Sequence, residues 1–181
     1  IDISITQWAV RAQAEMNAFA NFTTWNPAHF LDTAEGTFGF SLGLDWFFDA
    51  FNASTLTYYQ DVLATKGVTL GDSAFNGSSP YKWWASSPSN WNQVCSGSMI
   101  VGALALADVE RHSDLAQRVY SGAMKALPIS SDFYYPHGVW WEGDMYTGYA
   151  AKYFTSALAA LESATGSDQG LSLNGFNETG R

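Results

Sequence analysis

Cysteine and histidine are scarce in this sequence, and their scarcity excludes most protein metal sites. Cys95 is the only cysteine among 181 residues, so the chain forms no internal disulfide and no cysteine-based zinc site. None of the three histidines is paired with another at the spacing of a zinc-binding helix. We therefore expect a protein that works without a metal or another cofactor.

Positive charge is also scarce, since eight lysines and arginines stand against 17 aspartates and glutamates, for a formal net charge of −9. Nucleic-acid binding needs a basic face, so this balance excludes a nucleic-acid partner. No run of 18 apolar residues occurs, and the sequence therefore predicts no membrane span. The chain starts inside a helical pattern, without an initiator Met or a signal-peptide pattern, and we expect a mature or excised piece of a longer protein.

Apolar and aromatic residues are abundant by contrast, at 47% and 16% of the chain, and there are eight tryptophans. This composition predicts one globular domain, with more tryptophan than a core needs, because each buried indole N–H must find a partner. Four N-x-[ST] sequons predict a glycosylated protein that is secreted or periplasmic, and they begin at Asn21, Asn52, Asn76 and Asn177. The alternative is that a chain rich in Ser and Thr contains these sequons by accident.

Hydrophobic periodicity predicts six helices and no convincing strand, apart from a short β-ribbon at 139–141. The predicted helices span about 3–20, 27–48, 55–66 (ending at Gly67), 90–110, 114–127 (ended by Pro128) and 144–165 (ending at Gly166). Two long aromatic loops, 67–89 and 129–143, separate them. Alternating short and long connections favour an all-α fold of antiparallel hairpins, arranged as an incomplete α/α toroid over 1–166 and followed by a polar tail over 167–181.

The two loops and the helix starts beside them carry most of the residues that could contact a ligand. We expect exposed aromatic rings to stack on sugars, and the predicted contacts are Lys82, Trp83, Trp84, Trp91, Trp140 and Trp141. The alternative role for these rings is to close the ends of the helix bundle. We expect both roles to be filled.

Asn90 and Asn92 flank Trp91 at a helix start. One interpretation is local capping, because Asn is favoured at helix N-termini. The other is that an amide projects into a cleft, where its N–H donors stabilise a carboxylate or a developing oxyanion. Both residues cannot be simple caps, which favours a functional role for one of them.

Glu142, Tyr146 and Tyr149 share one helix face by their spacing of four and three. They form either an aromatic stripe toward the core or a catalytic group in which a phenol acts as general acid or base. His137 is the only histidine inside the aromatic loops, and it is a candidate for the same proton chemistry.

Several short motifs resemble the heparinase II/III-like polysaccharide lyases, in order and approximate spacing over nearly the whole chain. They are Trp25–Glu35 (WNPAHFLDTAE), Gly43–Trp46 (GLDW), Asn90–Cys95 (NWNQVC) and Glu142-Gly143 with Tyr146 and Tyr149. The resemblance implies an incomplete α/α toroid followed by a β-sandwich domain that lies outside this chain or on a partner. It also implies β-elimination of an acidic, uronate-containing polysaccharide without an essential catalytic metal.

The resemblance also implies roles for individual residues. Asn90 is expected to contact the uronate carboxyl group, and Tyr146 to serve as acid or base, with Glu142 and Tyr149 in support. His137 stands where the family usually has Asp in a Pro-Asp-Gly motif, and it is the local candidate for the family's catalytic histidine.

Two other functions stay open at the level of the sequence. A glycoside hydrolase on the same fold would use Glu142 or Asp144 as the acid and Asp45 as the base. A non-catalytic module would bind glycans or partners through the tryptophan-rich loops.

Overall fold

The computed structural model describes residues 5–135 and 137–173, and it contains α-helices and short 3-10 turns but no β-strand within them. The predicted all-α class is therefore confirmed. The α-helices are α1 Ile5–Ala20, α2 Phe30–Trp46, α3 Ala53–Leu63, α4 Thr69–Phe75, α5 Asn90–Leu106, α6 Ser113–Ala126, α7 Pro128–Ser131 and α8 Asp144–Thr165. None of the described helices is both long and apolar enough to cross a membrane.

Helices α2 and α8 run in parallel and start at the same end of the molecule. The Tyr149 hydroxyl donates a hydrogen bond to Glu35, and about one turn further along both helices Phe38 contacts Tyr153, with ring centroids 5.1 Å apart. Residue numbers therefore increase in the same direction on both helices.

Helix α5 lies between α2 and α8 and is parallel to both. Its first residue, Asn90, contacts Glu142, and Gly97 approaches Tyr153 two turns later. Small residues make this possible: a Cβ at Gly97 would lie 2.7 Å from the Tyr153 carbonyl oxygen. As predicted from its small and apolar residues, α5 is buried over nearly its whole length.

The other helices form a second layer that runs in the opposite direction. Phe19 of α1 lies against Gly36 of α2, and Met16, earlier in α1, lies against Gly43, later in α2. Helix α6 returns from α5 through a short connection at 107–112. The core lies between these two layers.

Gly67 does not end the third predicted helix. The chain stays helical through a π-helical turn at Ala64–Val68 and continues as α4. A Cβ at Gly67 would lie 2.4 Å from Thr37 Oγ1, so glycine here permits close helix packing. Since the helical run ends at Phe75, the aromatic loop before α5 is shorter than predicted.

The helix predicted to end before Pro128 does so: α6 ends at Ala126, and Pro128 begins the short helix α7, where a proline N–H is not needed. The predicted ribbon at 139–141 was wrong, because this segment is irregular and leads into a turn, and Trp140 within it is buried. The prediction that α8 ends at Gly166 is confirmed: this residue has φ 75°, a left-handed conformation that favours glycine.

The tail is not uniformly exposed, because Leu171 is buried in the core. The predicted sequon at Asn177 and the end of the tail lie outside the described residues, as does Pro136 of the Pro-His-Gly motif.

Candidate functional site

The carboxylate of Glu142 lies at the N-terminus of α5 and accepts three hydrogen bonds. The Asn90 backbone N–H donates at 2.6 Å, the Asn90 side-chain amide at 2.9 Å, and the Trp140 indole at 2.9 Å. Ser89 occupies the N-cap position without a side-chain capping bond, so Glu142 satisfies a helix N–H that would otherwise need another partner. We call Asn90, Trp140 and Glu142 the carboxylate cradle.

Helix dipoles explain why a carboxylate is stable in the cradle. No lysine or arginine forms an ion pair with Glu142 in the described part of the chain. Instead, α2, α5 and α8 all start at this end, and the N-terminus of each helix carries a partial positive charge. Neutral N–H donors at the N-terminus of α5 thus hold the protein's own Glu142 carboxylate without a cationic side chain.

Asn90 is held tightly but not fully satisfied. Its bond to the acceptor-only Glu142 requires Nδ2 to face the carboxylate, and this leaves Oδ1 buried without a described hydrogen-bond partner. The residue is only 4% exposed. An unpaired buried acceptor costs free energy, and such atoms in native proteins often mark functional positions.

A histidine–aspartate pair borders the cradle on the α2 side. His29 Nδ1 lies 3.1 Å from Asp32 Oδ1, and the Asn26 amide donates to Asp32 Oδ2 at 2.7 Å. Asn26 has φ 52° and occupies the N-cap position of the turn Pro27–His29, but its side chain braces the pair instead of forming a capping bond. The bond from Asn26, together with His29, holds the pKa of Asp32 below its ordinary value.

The same pair reaches the motif around Asn90 through an aromatic contact. The His29 ring meets the Trp91 ring edge-on, with centroids 4.9 Å apart, and Trp91 in turn packs on Trp83 at 4.7 Å. His29 is exposed, and hydrogen bonding of Nδ1 to Asp32 leaves Nε2 as the nitrogen that can exchange a proton with a ligand.

Tyr149 and Tyr153 both lie near the carboxylate of Glu35, which is further along α2 than the His29–Asp32 pair. Tyr149 donates to Glu35, and burial, with Glu35 close by, raises the pKa of both phenols well above the ordinary value. Neither phenol can act as an ionised base near neutral pH. Burial also raises the pKa of the Cys95 thiol well above its ordinary value, so this thiol is not a nucleophile.

Tyr146 differs from these two tyrosines because it is 45% exposed. It lies in the first turn of α8, one turn before Tyr149. Since Tyr149 meets Glu35 on a parallel helix, Tyr146, one turn earlier, lies at about the height of Asp32 along the helices. The structure therefore brings an exposed phenol and an exposed imidazole to the end that holds the cradle.

Three predicted substrate contacts are buried instead. Asn92 is 0% exposed, accepts a hydrogen bond from Ser130 at 2.7 Å, and donates to the Trp84 and Ala85 carbonyl oxygens. These bonds fasten α5 to the preceding loop and to α7. Trp84 is also 0% exposed and packs in the core, and Trp140 is 3% exposed with only its N–H engaged in the cradle. The expectation of substrate contact is corrected for all three.

Four other predicted residues are at the surface. Trp83 and Trp141 are more than half exposed, and Trp141 donates its indole N–H to the Pro88 carbonyl oxygen at 3.0 Å. Lys82 lies away from the cradle, in a groove between α4 and α6. His137 is exposed in the loop before Trp140, and it forms no hydrogen bond with another described residue.

The sequons within the described chain are sterically accessible. Asn21, Asn52 and Asn76 are exposed, and Asn52 also caps α3 by accepting from the Thr55 N–H at 2.9 Å. Glycosylation at these positions stays a prediction.

Sequence reasoning missed the roles of His29, Asp32 and Glu35, although all three lie in the Trp25–Glu35 motif. The spacing of three between His29 and Asp32 was a usable signal, because residues three apart meet on a helix. The contact of His29 with Trp91 had no such signal, since it joins residues 62 positions apart in the chain.

The described residues contain no group of three or more His, Cys, Asp or Glu side chains arranged to hold a metal ion. In the comparisons with known proteins, no protein-family model matches the chain, and no curated protein matches its sequence.

Proposed function

We propose that this chain is the α/α-toroid part of a secreted or periplasmic polysaccharide lyase, which cleaves a uronate-containing polysaccharide by β-elimination. The observation that carries the proposal is the carboxylate cradle at the common start of α2, α5 and α8, with His29 and Tyr146 at the same end. A lyase needs a donor for the substrate carboxylate, for which Asn90 retains one amide hydrogen beyond its bond to Glu142, together with proton-transfer groups.

The helix arrangement supports the toroid. In such a fold the inner helices run parallel to one another and the outer helices return in the opposite direction. Helices α2, α5 and α8 have the relation expected of inner helices, and α1 and α6 have that of outer helices. The parallel inner helices place three N-termini around one site.

The proposed reaction removes a proton from the carbon beside the uronate carboxyl group. Asn90 binds that carboxylate through its second amide hydrogen, while Glu142 fixes the orientation of the amide. This withdraws charge from the adjacent carbon and makes its proton more acidic. The buried Oδ1 of Asn90 then accepts a hydrogen bond from a substrate hydroxyl.

His29 and Tyr146 carry out the two proton transfers. The Nε2 atom of His29 takes the proton from C5, and the electron pair of that C–H bond forms the C4=C5 double bond. The bond from C4 to the glycosidic oxygen breaks, and the Tyr146 hydroxyl donates a proton to the departing oxygen. The products are a chain with a new hydroxyl group and a chain with an unsaturated uronide at its non-reducing end.

Access to Asn90 requires movement of the loop above it. The side chain is 4% exposed, whereas Trp141 of the same loop is 60% exposed and is tied to Pro88 by one hydrogen bond.

The test is an assay of the full-length natural protein on alginate, polygalacturonate and chondroitin sulfate. Unsaturated uronide is followed by its ultraviolet absorbance, and mass spectrometry checks that cleavage adds no water. We expect Asn90→Ala, His29→Ala and Tyr146→Phe each to reduce turnover by about 100-fold or more.

Two matched variants serve as controls. Tyr58→Phe removes a hydroxyl from an exposed tyrosine on α3, away from the cradle, and is expected to retain full activity. His137→Ala tests the histidine that the sequence favoured, and activity retained here but lost in His29→Ala identifies His29 as the base. The proposal is wrong if no acidic polymer yields an unsaturated product, or if all three site variants remain active.

The glycoside hydrolase alternative is not supported, because its proposed base, Asp45, lies too far from Glu142. Asp45 lies beside Leu104 and Asp108, at the C-terminal end of α5, whereas Glu142 lies at the N-terminus. Helix α5 has 17 residues and is about 25 Å long, which far exceeds the separation of roughly 5–10 Å between glycosidase carboxyl groups.

The exposed rings of Trp83 and Trp141 favour glycan binding as the second candidate function. Retention of acidic polymers without cleavage would support a non-catalytic module.

A further inference from the structure

The strongest concentration of positive charge lies in a groove between α4, the loop after it, and α6, which we call the α4–α6 groove. Three of the seven lysines and arginines in the described residues line it: Lys82, Arg118 and Lys125. One carboxylate, that of Asp72, also lines the groove, so its net charge is +2 in a chain of formal charge −9. A random distribution of so few cations would not favour one groove in this way.

The cations differ in how much of their binding capacity the protein already uses. Arg118 donates to Asp72 Oδ2 from Nε and Nη2, at 3.1 and 3.0 Å, and this pair does not use Nη1. Lys82 donates to the Gly77 carbonyl oxygen at 2.7 Å. Lys125 is exposed and forms no hydrogen bond or ion pair with another described residue.

The groove has a defined shape as well as positive charge. Its volume is about 820 Å³, within the roughly 300–1,000 Å³ typical of ligand clefts. Gly77 has φ 85°, a conformation that favours glycine, and it turns the loop so that Lys82 closes one side. Gly122 lets α6 approach α4, because a Cβ there would lie 2.6 Å from Phe75.

The remaining lining suits a sugar chain. Trp83 lines the groove and is 51% exposed, so its ring presents a flat apolar surface of the kind on which a pyranose stacks. Amides and hydroxyls that can bond to sugar hydroxyl groups come from Gln117, Ser86 and Ser121. Trp83 also packs on Trp91, which joins the groove to the neighbourhood of Asn90.

We propose that the α4–α6 groove binds an acidic polysaccharide, with Lys125, Lys82 and Arg118 contacting its carboxylate or sulfate groups and Trp83 stacking on a sugar ring. The choice of a polysaccharide rests on the proposed function, whereas the anionic character of the ligand follows from the groove's own charge. The groove holds a length of the polymer outside the cradle, and so increases the local concentration of substrate. It supplies the cations that the cradle lacks.

A nucleic acid fits this groove less well. Binding a phosphate backbone requires cations over a broad face, and the chain around the groove is strongly acidic. A patch of net charge +2 with a single exposed indole matches the lower charge density of a uronate polymer.

The experiment measures binding by the 181-residue chain and does not depend on cleavage. Affinity electrophoresis and calorimetry are run at low salt with alginate, polygalacturonate and chondroitin sulfate, with neutral dextran and a single-stranded oligonucleotide as comparison ligands. We expect at least one acidic polysaccharide to bind, dextran not to bind, and affinity to fall as salt screens the charges.

The decisive variant is Lys125→Gln, because it removes an exposed charge without a described hydrogen bond. We expect about a threefold to tenfold loss of affinity, and a larger loss in Lys82→Gln/Lys125→Gln and in Trp83→Ala. Arg11→Gln is the matched control, since Arg11 is exposed on α1, pairs only with Glu15 among described residues, and lies outside the groove. Circular dichroism checks that each variant is folded.

The outcomes separate this inference from the proposed function. Polysaccharide binding that weakens in Lys125→Gln but not in Arg11→Gln supports the groove, whether or not the polymer is cleaved. If the polymer is cleaved but the groove variants bind it with unchanged affinity, the proposal for the groove is wrong and the proposed lyase function is retained. Absence of binding to every acidic polysaccharide, or tighter binding of the oligonucleotide through the same lysines, overturns the inference.

Discussion

The cradle and the α4–α6 groove present hydrogen-bond donors and positive charge in two different ways. In the cradle, neutral N–H groups of Asn90 and Trp140 surround a carboxylate at the start of three parallel helices. In the groove, Lys82 and Lys125 place whole charges at an open surface. The first is buried and short-range, so salt should screen it little, whereas the second is exposed and should be sensitive to salt. We propose that the groove attracts an acidic polymer and that Asn90 of the cradle aligns it.

The largest expected effect comes from removing the carboxylate of the cradle. Glu142→Ala leaves the Asn90 and Trp140 donors without their acceptor, and we expect unfolding to become easier by about 2–4 kcal/mol, measured by urea denaturation. Asp144→Asn is the control, two residues away and exposed, with an expected change below about 0.5 kcal/mol. Equal losses of unfolding free energy in the two variants would show that the hydrogen bonds to Glu142 contribute no more to stability than an exposed carboxylate does.

A second variant tests whether the close contact of α5 with α8 holds the cradle together. Gly97→Ala places a Cβ 2.7 Å from the Tyr153 carbonyl oxygen, which is backbone and cannot rotate away. We expect a loss of about 1–3 kcal/mol in unfolding free energy. Gly148→Ala meets nothing within 4 Å and should stabilise α8 by up to about 1 kcal/mol. If both variants changed the unfolding free energy in the same direction, the spacing between α5 and α8 would not depend on Gly97.

The third prediction concerns alkaline pH and Tyr149. The folded-state pKa of this phenol is raised above the ordinary value of 10.0. The neutral phenol therefore makes its full contribution to the free energy of unfolding at any pH below about 10. The contribution is lost progressively as pH rises above about 10, where the unfolded chain ionises first. Tyr149→Phe should cost about 1 kcal/mol at pH 7, from the lost bond to Glu35.

The same variant should make stability decline less steeply between pH 9 and 11 than in the wild type. Thermal unfolding at a series of pH values measures this difference. A decline as steep as that of the wild type would remove Tyr149 as a cause.

The variant with the smallest expected effect on stability tests the groove without changing the cradle. Asp72→Asn removes the only carboxylate that lines the groove and changes its net charge from +2 to +3. The Asp72–Arg118 ion pair is at the surface, so we expect a stability loss below about 1 kcal/mol. Affinity for an acidic polysaccharide should rise, by about twofold to fivefold. Weaker binding by this variant would indicate that the Asp72–Arg118 pair positions the ligand.

Much of the helical structure was predictable from local pattern. Periodicity, small residues and a final glycine located α5 and α8 to within a few residues, because such signals act within one helix. Gly67 misled the prediction because its effect depends on a neighbour: it packs against Thr37, and the helical run continues through it. Pro128 was interpreted correctly as the stop after α6, and what the local pattern did not indicate is that it also begins α7.

The candidate site was predictable only in part. Asn90, Glu142 and Tyr146 were named from motif and helix position, but the pairing of Asn90 with Glu142 joins residues 52 positions apart. Asn92 looked as functional as Asn90, and only packing shows that Ser130 and the Trp84 carbonyl oxygen use its amide.

The sequence by itself determined that this chain is helical, acidic and rich in aromatic residues, because composition and period-3.6 patterning act locally. Only the tertiary structure decided which polar groups meet. It turned Glu142 onto the start of α5, set His29 against Trp91, and gathered into one groove three of the seven lysines and arginines in the described part of the chain. The reason is that helix packing is set by side-chain shape at contacts far apart in the chain, such as Gly97 on Tyr153, which no local pattern specifies.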